Sequence, residues 1–528
     1  MNGRHEEMQG YPLGQQDFKE IREQKLVYID KTMFIDKILK RKIQYLFLAR
    51  PRRFGKSLFL STLRYFFEGR RELFDGLYIA STGWDWTRYP VLHLDLNPER
   101  FSEPRHLDRL LEAHFRVWEK QYEVEVTAPG YPQRFRNIIK AAHDKTGKQV
   151  VILVDEYDKP LVSNLDRRES LDLFRTLLAA IYSNFKSSAE HIRFVMLTGV
   201  SRFSKLSVFS DLNNLDDVTF DDDFADICGI TEEELLDYFP TGIQQFAATQ
   251  KVSYEEACAK LKINYDGYRF ARVGSDIYNP WSLLSCMRKS RLGNYWNQTG
   301  IPTIIAKTLR DLDSNLEKIL NTRCKFSQLA GLDLSSIDPL ALLYQTGYLT
   351  IKKFNQRNDT VTLGVPNKEV KEGLFDVLLP FYVKVRRGTP ESVVRDIINS
   401  IRDGEPEELM KNLDIFLAGI PYDMRMDDEN NFQNAMYVLL TLIGIDAKTE
   451  VHTSSGRIDV VIEDEEYIYI IELKFDKDSQ SALSQIGEKE YDLPFHRDCR
   501  TIFRIGVNFN KATRHLDKAM IEIVNPGR

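Results

Sequence analysis

Tyr45-Leu46-Phe47-Leu48-Ala49-Arg50-Pro51-Arg52-Arg53-Phe54-Gly55-Lys56-Ser57 passes from a short apolar run into a basic loop, and Leu58 to Phe67 continue it as a helical pattern. Strand, loop and helix in that order are the setting of a phosphate-binding loop. Such a loop turns backbone N–H groups toward the phosphates, sends a lysine to the β/γ-phosphates and offers a hydroxyl to Mg²⁺. Gly55, Lys56 and Ser57 supply these parts, with Arg53 and Phe54 just ahead of them. Arg50 stands where the generic motif begins with glycine, so on this segment alone a basic turn before a helix is the competing reading.

A second stretch weighs against that alternative. Val150-Val151-Ile152-Leu153-Val154 runs directly into Asp155-Glu156, a buried strand ending in two adjacent carboxylates, which is the Walker B arrangement. Asp155 is expected to orient Mg²⁺, and Glu156 to polarise the water that attacks the γ-phosphate. Asp158 reads as a helix-capping or surface residue rather than a second base. Ile192 to Leu197 form another apolar strand, followed by Thr198-Gly199 and then Ser201-Arg202. Thr198 and Arg202 suit either γ-phosphate sensing or a structural turn.

With Tyr45 to Leu48 and Val91 to Leu94, these runs are short and nearly continuous in hydrophobicity, as strands covered on both faces of a parallel sheet are. From about Ile230 the pattern becomes helical, with Thr231 to Phe239 and Tyr254 to Leu261 as the clearest segments of a lid. An apolar helix ending near Gln345, a strand Gly347 to Ile351, a polar turn Asn355 to Asp359 and a strand Thr360 to Leu363 spell a winged-helix-like region. It serves for DNA contact or for packing, and it carries no basic run.

Composition bounds the remainder. The chain has 528 residues, 43% hydrophobic, 28% charged and 11% aromatic, which implies several globular cores. A net charge of −6 lacks the basic field of a nucleic-acid coat, so any such contact is local. The start lacks a signal-peptide pattern and no apolar run has transmembrane length, so a cytoplasmic location without membrane attachment is expected. Five cysteines without paired spacing argue against zinc and disulfides. Asp211 to Asp226 contains seven aspartates but lacks the glycine and terminal glutamate of a calcium loop, and reads as a solvated turn.

Near the C-terminus Gly456 to Ile462 and Tyr467 to Phe475 read as a hairpin. With an even-numbered turn, for instance with Ile462 opposite Tyr467, Asp459 lies opposite Ile470, and Glu472 and Lys474 share its face. Two carboxylates beside a lysine suit one or two Mg²⁺ or Mn²⁺ ions and in-line phosphodiester hydrolysis, with Asp459 and Glu472 as ligands. A lone Glu-x-Lys is more often a salt-bridged surface; the upstream aspartate changes that balance. Arg500, Arg504, Lys511, Arg514 and Lys518 suit either a phosphate backbone or solvated helix faces.

Val27-Tyr28-Ile29-Asp30-Lys31-Thr32, Arg50 to Ser57 and Asp155-Glu156-Tyr157-Asp158-Lys159-Pro160 together resemble the AAA-ATPase-like family of bacterial proteins with a C-terminal PD-(D/E)XK nuclease-like domain. The resemblance extends through Asn279-Pro280 and Pro366-Asn367-Lys368-Glu369-Val370, and the family shares the Arg-Pro-Arg-Arg-Phe-Gly-Lys-Ser form. It implies that Asp459 and Glu472-Leu473-Lys474 are the nuclease core, that Gln485 is a family glutamine with Tyr491 flanking it, and that Glu429 stands where a helix often contributes a further carboxylate. A helix-start glutamate is also favoured by the dipole.

The expected fold is therefore α/β. It comprises a P-loop NTPase parallel sheet (1–229), a helical lid (230–300), a winged-helix-like region (301–405) and a restriction-endonuclease-like domain (406–528). The expected activity is ATP hydrolysis controlling cleavage of nucleic acid, DNA foremost. The alternative is an ATP-driven switch whose nuclease-like module binds without cutting, and a homo-oligomer fits either.

Overall fold

The computed structural model describes residues 10–98, 101–126, 130–165, 167–203, 215–296, 322–332, 338–374, 390–418, 436, 439, 446–452, 457–464, 466–495, 498–513 and 515–524. Contacts divide the described residues into two compact units, one within 1–300 and 323–370, the other within 301–322 and from Lys371 onward.

The first unit is built on a five-stranded parallel sheet of β1 (Tyr45–Ala49), β2 (Val91–Asp95), β3 (Val150–Asp155), β4 (Ile192–Gly199) and β5 (Asp216–Asp217), in the order β2-β3-β4-β1-β5. All residues of β1 and β3 are buried, which explains their unbroken apolar sequences. β4 lies between the strand that leads into the basic loop and the strand that ends in Asp155, so both loops meet at its C-terminal end.

The acidic stretch departs from the expected solvated turn. Asp216 and Asp217 pair with Leu46 and Phe47 as the fifth strand. Beyond it, Asp221 pairs with Arg41 at 2.9 Å, and the Thr219 and Phe224 carbonyls accept from the Arg50 guanidinium at 2.6 and 3.0 Å. Carboxylates in an edge strand are tolerated because Asp216 faces solvent and Asp217 is ion-paired with Arg202.

Helices Glu232–Tyr238, Pro240–Gln250, Tyr254–Tyr265 and Pro280–Lys289 form the lid around Leu235, Phe246, Leu261 and Leu283. Thr231 with Glu234 and Ser253 with Glu256 make capping boxes that set where two of them start. The winged-helix-like region is a three-stranded antiparallel sheet of β6 (Arg323–Lys325), β7 (Thr350–Asn355) and β8 (Thr360–Gly364), ordered β6-β8-β7, with helix Pro339–Thr346 before the hairpin. β7 starts later than the apolar run suggests, because Gly347 ends the helix in a left-handed conformation (φ 90°).

The second unit holds a mixed sheet of β9 (Asp446–His452), β10 (Arg457–Glu463), β11 (Tyr467–Phe475), β12 (Thr501–Asn510), β13 (His515–Leu516) and β14 (Met520–Val524). Only β11 and β12 are parallel among these pairs, and helix Ser479–Glu488 makes the crossover between them. Asp-Gly-Glu-Pro near residue 404 is the turn between helices Pro390–Arg402 and Pro406–Ala418, whose Ser400 and Asn412 side chains bond at 3.0 Å. Tyr469 of β11 donates to the Ile401 carbonyl at 2.7 Å. The division between units therefore falls near residue 370 and not at this turn, since the first helix packs with the C-terminal sheet.

Gly506 of β12 lies flush beneath the crossover helix, where a Cβ would collide with the Leu483 amide and the Ser479 carbonyl. Gly506→Ala is expected to destabilise the second unit by about 1–3 kcal/mol, the usual range for overpacking. Chemical denaturation followed by a probe in that unit checks this.

Candidate functional site

The basic loop owes its shape to two left-handed residues, Arg53 (φ 69°) and Gly55 (φ 98°), the latter at the start of helix Lys56–Phe67. A Cβ on Gly55 would meet no atom within 4 Å, so the backbone conformation and not space requires glycine here. Lys56 is 3% exposed, and its Nζ donates to the Arg50 and Pro51 carbonyls at 3.0 and 3.2 Å while lying 3.6 Å from Glu156 Oε1. Arg53 stacks its guanidinium over Trp281 at 4.2 Å. Phe54 is buried edge-on against Tyr268 and Phe270, pinning the loop to the lid.

Arg50, in the place of the generic first glycine, points inward and adds nothing to the loop's outward charge. Its guanidinium donates to Ala49, Thr219 and Phe224 carbonyls and lies 4.7 Å from the centre of the Phe270 ring.

At the end of β3 the Asp155 carboxylate accepts from the Thr198 hydroxyl at 2.6 Å and from the Glu156 amide at 3.0 Å. Thr198 thus braces Asp155 from the next strand. Glu156 has a left-handed backbone (φ 54°) that turns its side chain toward Lys56. Asp158 is neither a surface residue nor a side-chain cap. It is 1% exposed, and its carboxylate accepts the Val200 amide at 3.1 Å and the Ser201 amide at 2.5 Å. Burial, and then the charge of Glu156, push that carboxyl up to about 7.

Lys56, Ser57, Glu156, Arg53 and Gly55 line one cavity of about 320 Å³. Pro12 to Gln16, Asn97, Lys159 and Trp281 also line it; the sequence pointed to Lys159 through the Asp155 to Pro160 segment and toward Trp281 through Asn279-Pro280, and gave no signal for the others. A second, apolar recess of about 90 Å³ adjoins it, between Val27 to Ile29, Phe54, Leu58, Ile227 to Ile230, Pro280 and Leu284. Thr198 and Arg202 line neither.

In the second unit Glu463 pairs with Ile468 and Val460 with Ile471, so Ile462 faces Tyr469 and not Tyr467. The turn lies one residue later than expected, closed by the Asp464 amide donating to the Tyr467 carbonyl at 2.9 Å. A two-residue change in pairing preserves side-chain parity, so Asp459 still shares a face with Glu472 and Lys474 and comes closer to Glu472. Asp459 and Glu472 are 3% and 2% exposed, and Asp459 accepts the Leu473 amide at 2.8 Å. Gln485, from the crossover helix, accepts from Lys474 at 2.6 Å, donates to Glu472 and reaches the Tyr491 hydroxyl at 3.3 Å. Lys474 lies 3.2 Å from Glu472. Glu429 falls outside the described residues. Among the described residues no group of three His, Cys, Asp or Glu side chains clusters for a metal. The oxygen donors present, Ser57 with Asp155 and Asp459 with Glu472, are those that hard divalent cations take, with water completing the shell.

Comparison with known proteins bears on both halves. Residues 12–209 match the AAA-ATPase-like family, described as "Predicted AAA-ATPase", and residues 427–519 match the PD-(D/E)XK nuclease superfamily. A protein of Azotobacter chroococcum mcd 1, "Uncharacterized protein in vnfD 5'region", is 33% identical over 97% of this chain and 98% of its own length. The chain belongs to the AAA-ATPase-like family with a C-terminal PD-(D/E)XK nuclease-like domain. That membership carries ATPase and nuclease-like potential.

In this AAA-ATPase-like protein several candidate charges are engaged within the fold. Arg202 is ion-paired with Asp217 of β5. Arg500 pairs with Glu463 and Asp498, and Arg504 with Asp492 and Glu522, so these arginines brace the C-terminal sheet. Lys511 lies over Phe475, and Arg514 is outside the described residues. All five cysteines are free thiols. No described helix is long and apolar enough to cross a membrane.

The central helix of the winged-helix-like region is packed into the first unit. Ala341 to Thr346 of its central helix are buried, Tyr344 stacks on Phe220, and Gln345 accepts the Arg202 amide at 2.7 Å while donating to the Leu329 carbonyl at 2.9 Å. Gln345→Leu is expected to destabilise the first unit by about 1–3 kcal/mol for each buried group left unpaired. Calorimetric or denaturant unfolding of the full chain measures it.

Proposed function

We propose that the chain is a cytoplasmic ATPase whose C-terminal module hydrolyses phosphodiester bonds of nucleic acid, DNA foremost, under the control of bound nucleotide. In the first unit the amides of Gly55 to Ser57 and the Lys56 ammonium receive the phosphates, and Ser57 and Asp155 hold Mg²⁺. The apolar recess beside Leu58 and Pro280 suits the base, and Glu156 orients the attacking water. Lys56→Ala is expected to weaken ATP binding roughly 10- to 150-fold, from the loss of a charge-assisted hydrogen bond. Glu156→Gln is expected to bind ATP while turnover falls by about 10²- to 10⁴-fold. Binding and steady-state hydrolysis assays separate the two; normal turnover by Lys56→Ala would locate the phosphate site elsewhere.

The observation that carries the nuclease reading is the network that joins buried Glu472 to half-buried Lys474 and Gln485, with buried Asp459 on the same face. Asp459 and Glu472 would hold Mg²⁺ or Mn²⁺, which when bound neutralises phosphate charge and makes a water more acidic. Lys474 is positioned by Gln485 to meet the scissile phosphate as a point charge. Asp459→Asn and Glu472→Gln are each expected to abolish cleavage while ATP turnover persists. Nucleotide control is expected to change cleavage by about 5- to 150-fold between the nucleotide-free and ATP-bound protein, and DNA to change nucleotide affinity reciprocally. The assay uses single- and double-stranded DNA and RNA at fixed free Mg²⁺. Binding without cutting by the wild-type protein favours the switch reading, and equal rates in all nucleotide states remove the control.

A further inference from the structure

The ends of β3 and β4 are laced together by more bonds than a phosphate site needs. The Tyr157 amide donates to the Thr198 carbonyl at 2.9 Å, and the Tyr157 hydroxyl donates to the Ser201 carbonyl at 2.9 Å. Asp158 receives the amides of Val200 and Ser201. Gly199 completes the seam: a Cβ there would sit 2.5 Å from Asp158 Oδ1 and 2.7 Å from the Tyr157 ring. Glu156 lies between two anchored neighbours, Asp155 held by Thr198 and the Tyr157–Asp158 pair held by the turn after β4. Its left-handed backbone is one that a non-glycine residue keeps only when the surroundings over-determine it.

We propose that Asp158 is a positioning residue for ATP hydrolysis: by holding the Val200 and Ser201 amides it fixes the backbone on which Glu156 is aimed at the Lys56 side of the cavity. The proposal rests on the ATPase reading and adds to it a residue that touches neither nucleotide nor water. Both amides converge on Oδ2, at 3.1 and 2.5 Å, and the Val200 amide also lies 3.2 Å from Oδ1, so each carboxylate oxygen faces a backbone donor. Asparagine keeps the volume but turns an N–H₂ group toward one of those amides, which opens the turn without emptying the site.

The test compares wild type, Asp158→Asn, Glu156→Gln and the double variant in the full chain, with ATP affinity and single-turnover hydrolysis measured separately. Asp158→Asn is expected to hold affinity within about 3-fold and to slow hydrolysis by roughly 10- to 100-fold, the range for a catalytic group displaced by about 1 Å. In the Glu156→Gln background the same change is expected to alter hydrolysis by less than about 2-fold, because the group being aimed is already disabled. Wild-type hydrolysis by Asp158→Asn, or an equal loss in both backgrounds, overturns the proposal. If Asp158→Asn does not fold, Gly199→Ala presses on the same seam while leaving both carboxylates in place. It is expected to give the same split between affinity and rate, and normal hydrolysis by it overturns the proposal. Absence of hydrolysis by the wild-type protein instead removes the ATPase reading itself.

Discussion

The first unit hangs on a buried cation. Arg50 leaves the end of β1 and turns its guanidinium into the protein, where it donates to the Ala49, Thr219 and Phe224 carbonyls and stacks on Phe270 of the lid segment. Burial lowers its affinity for a proton, yet an arginine remains charged in such a place. A charge taken out of water is tolerated only when oxygen acceptors surround it, and here they are backbone carbonyls of separate segments. The basic loop, the acid-rich segment after β5 and the lid are thereby referred to one point. Lys56 then has a fixed floor, since the carbonyls it contacts belong to Arg50 and Pro51.

Legibility in the sequence followed burial. β1, β3 and β4 are dry on both faces, and their apolar runs could be read with boundaries off by a residue or two. β5 could not, because two aspartates carry no apolar signal and their strand is made by pairing with β1, with Asp217 ion-paired to Arg202. Periodicity placed Asp459, Glu472 and Lys474 on one face while missing the register, since the period of two constrains parity and the turn sets the offset. Gln485 was found through resemblance, and geometry supplied the reason: it is the side chain that reaches Glu472, Lys474 and Tyr491 together.

What sequence reading overestimated was the supply of free charge. Arg202 suited a phosphate sensor or a structural turn, and Arg500 and Arg504 a phosphate backbone or a solvated face; each is ion-paired within its own unit, and Arg50 is held by carbonyls. What it underestimated was Asp158, because a carboxylate that serves two amides of the turn after β4, more than forty residues on, has no local pattern. The walls formed by Pro12 to Gln16 and Trp281 were hidden for the same reason: they are joined to the basic loop only by folding.

β5 has a consequence for how copies of this protein can meet. A sheet ends where its last strand offers an unfavourable template, and a strand of two aspartates does so twice over, being too short to pair with a stranger and too charged to be buried by one. Growth of the parallel sheet from one molecule into the next is therefore blocked on that margin. Any contact between copies made at that margin has to be made through side chains, whose geometry can be broken and remade, and not through a continuous ladder of backbone bonds that would weld one copy to another.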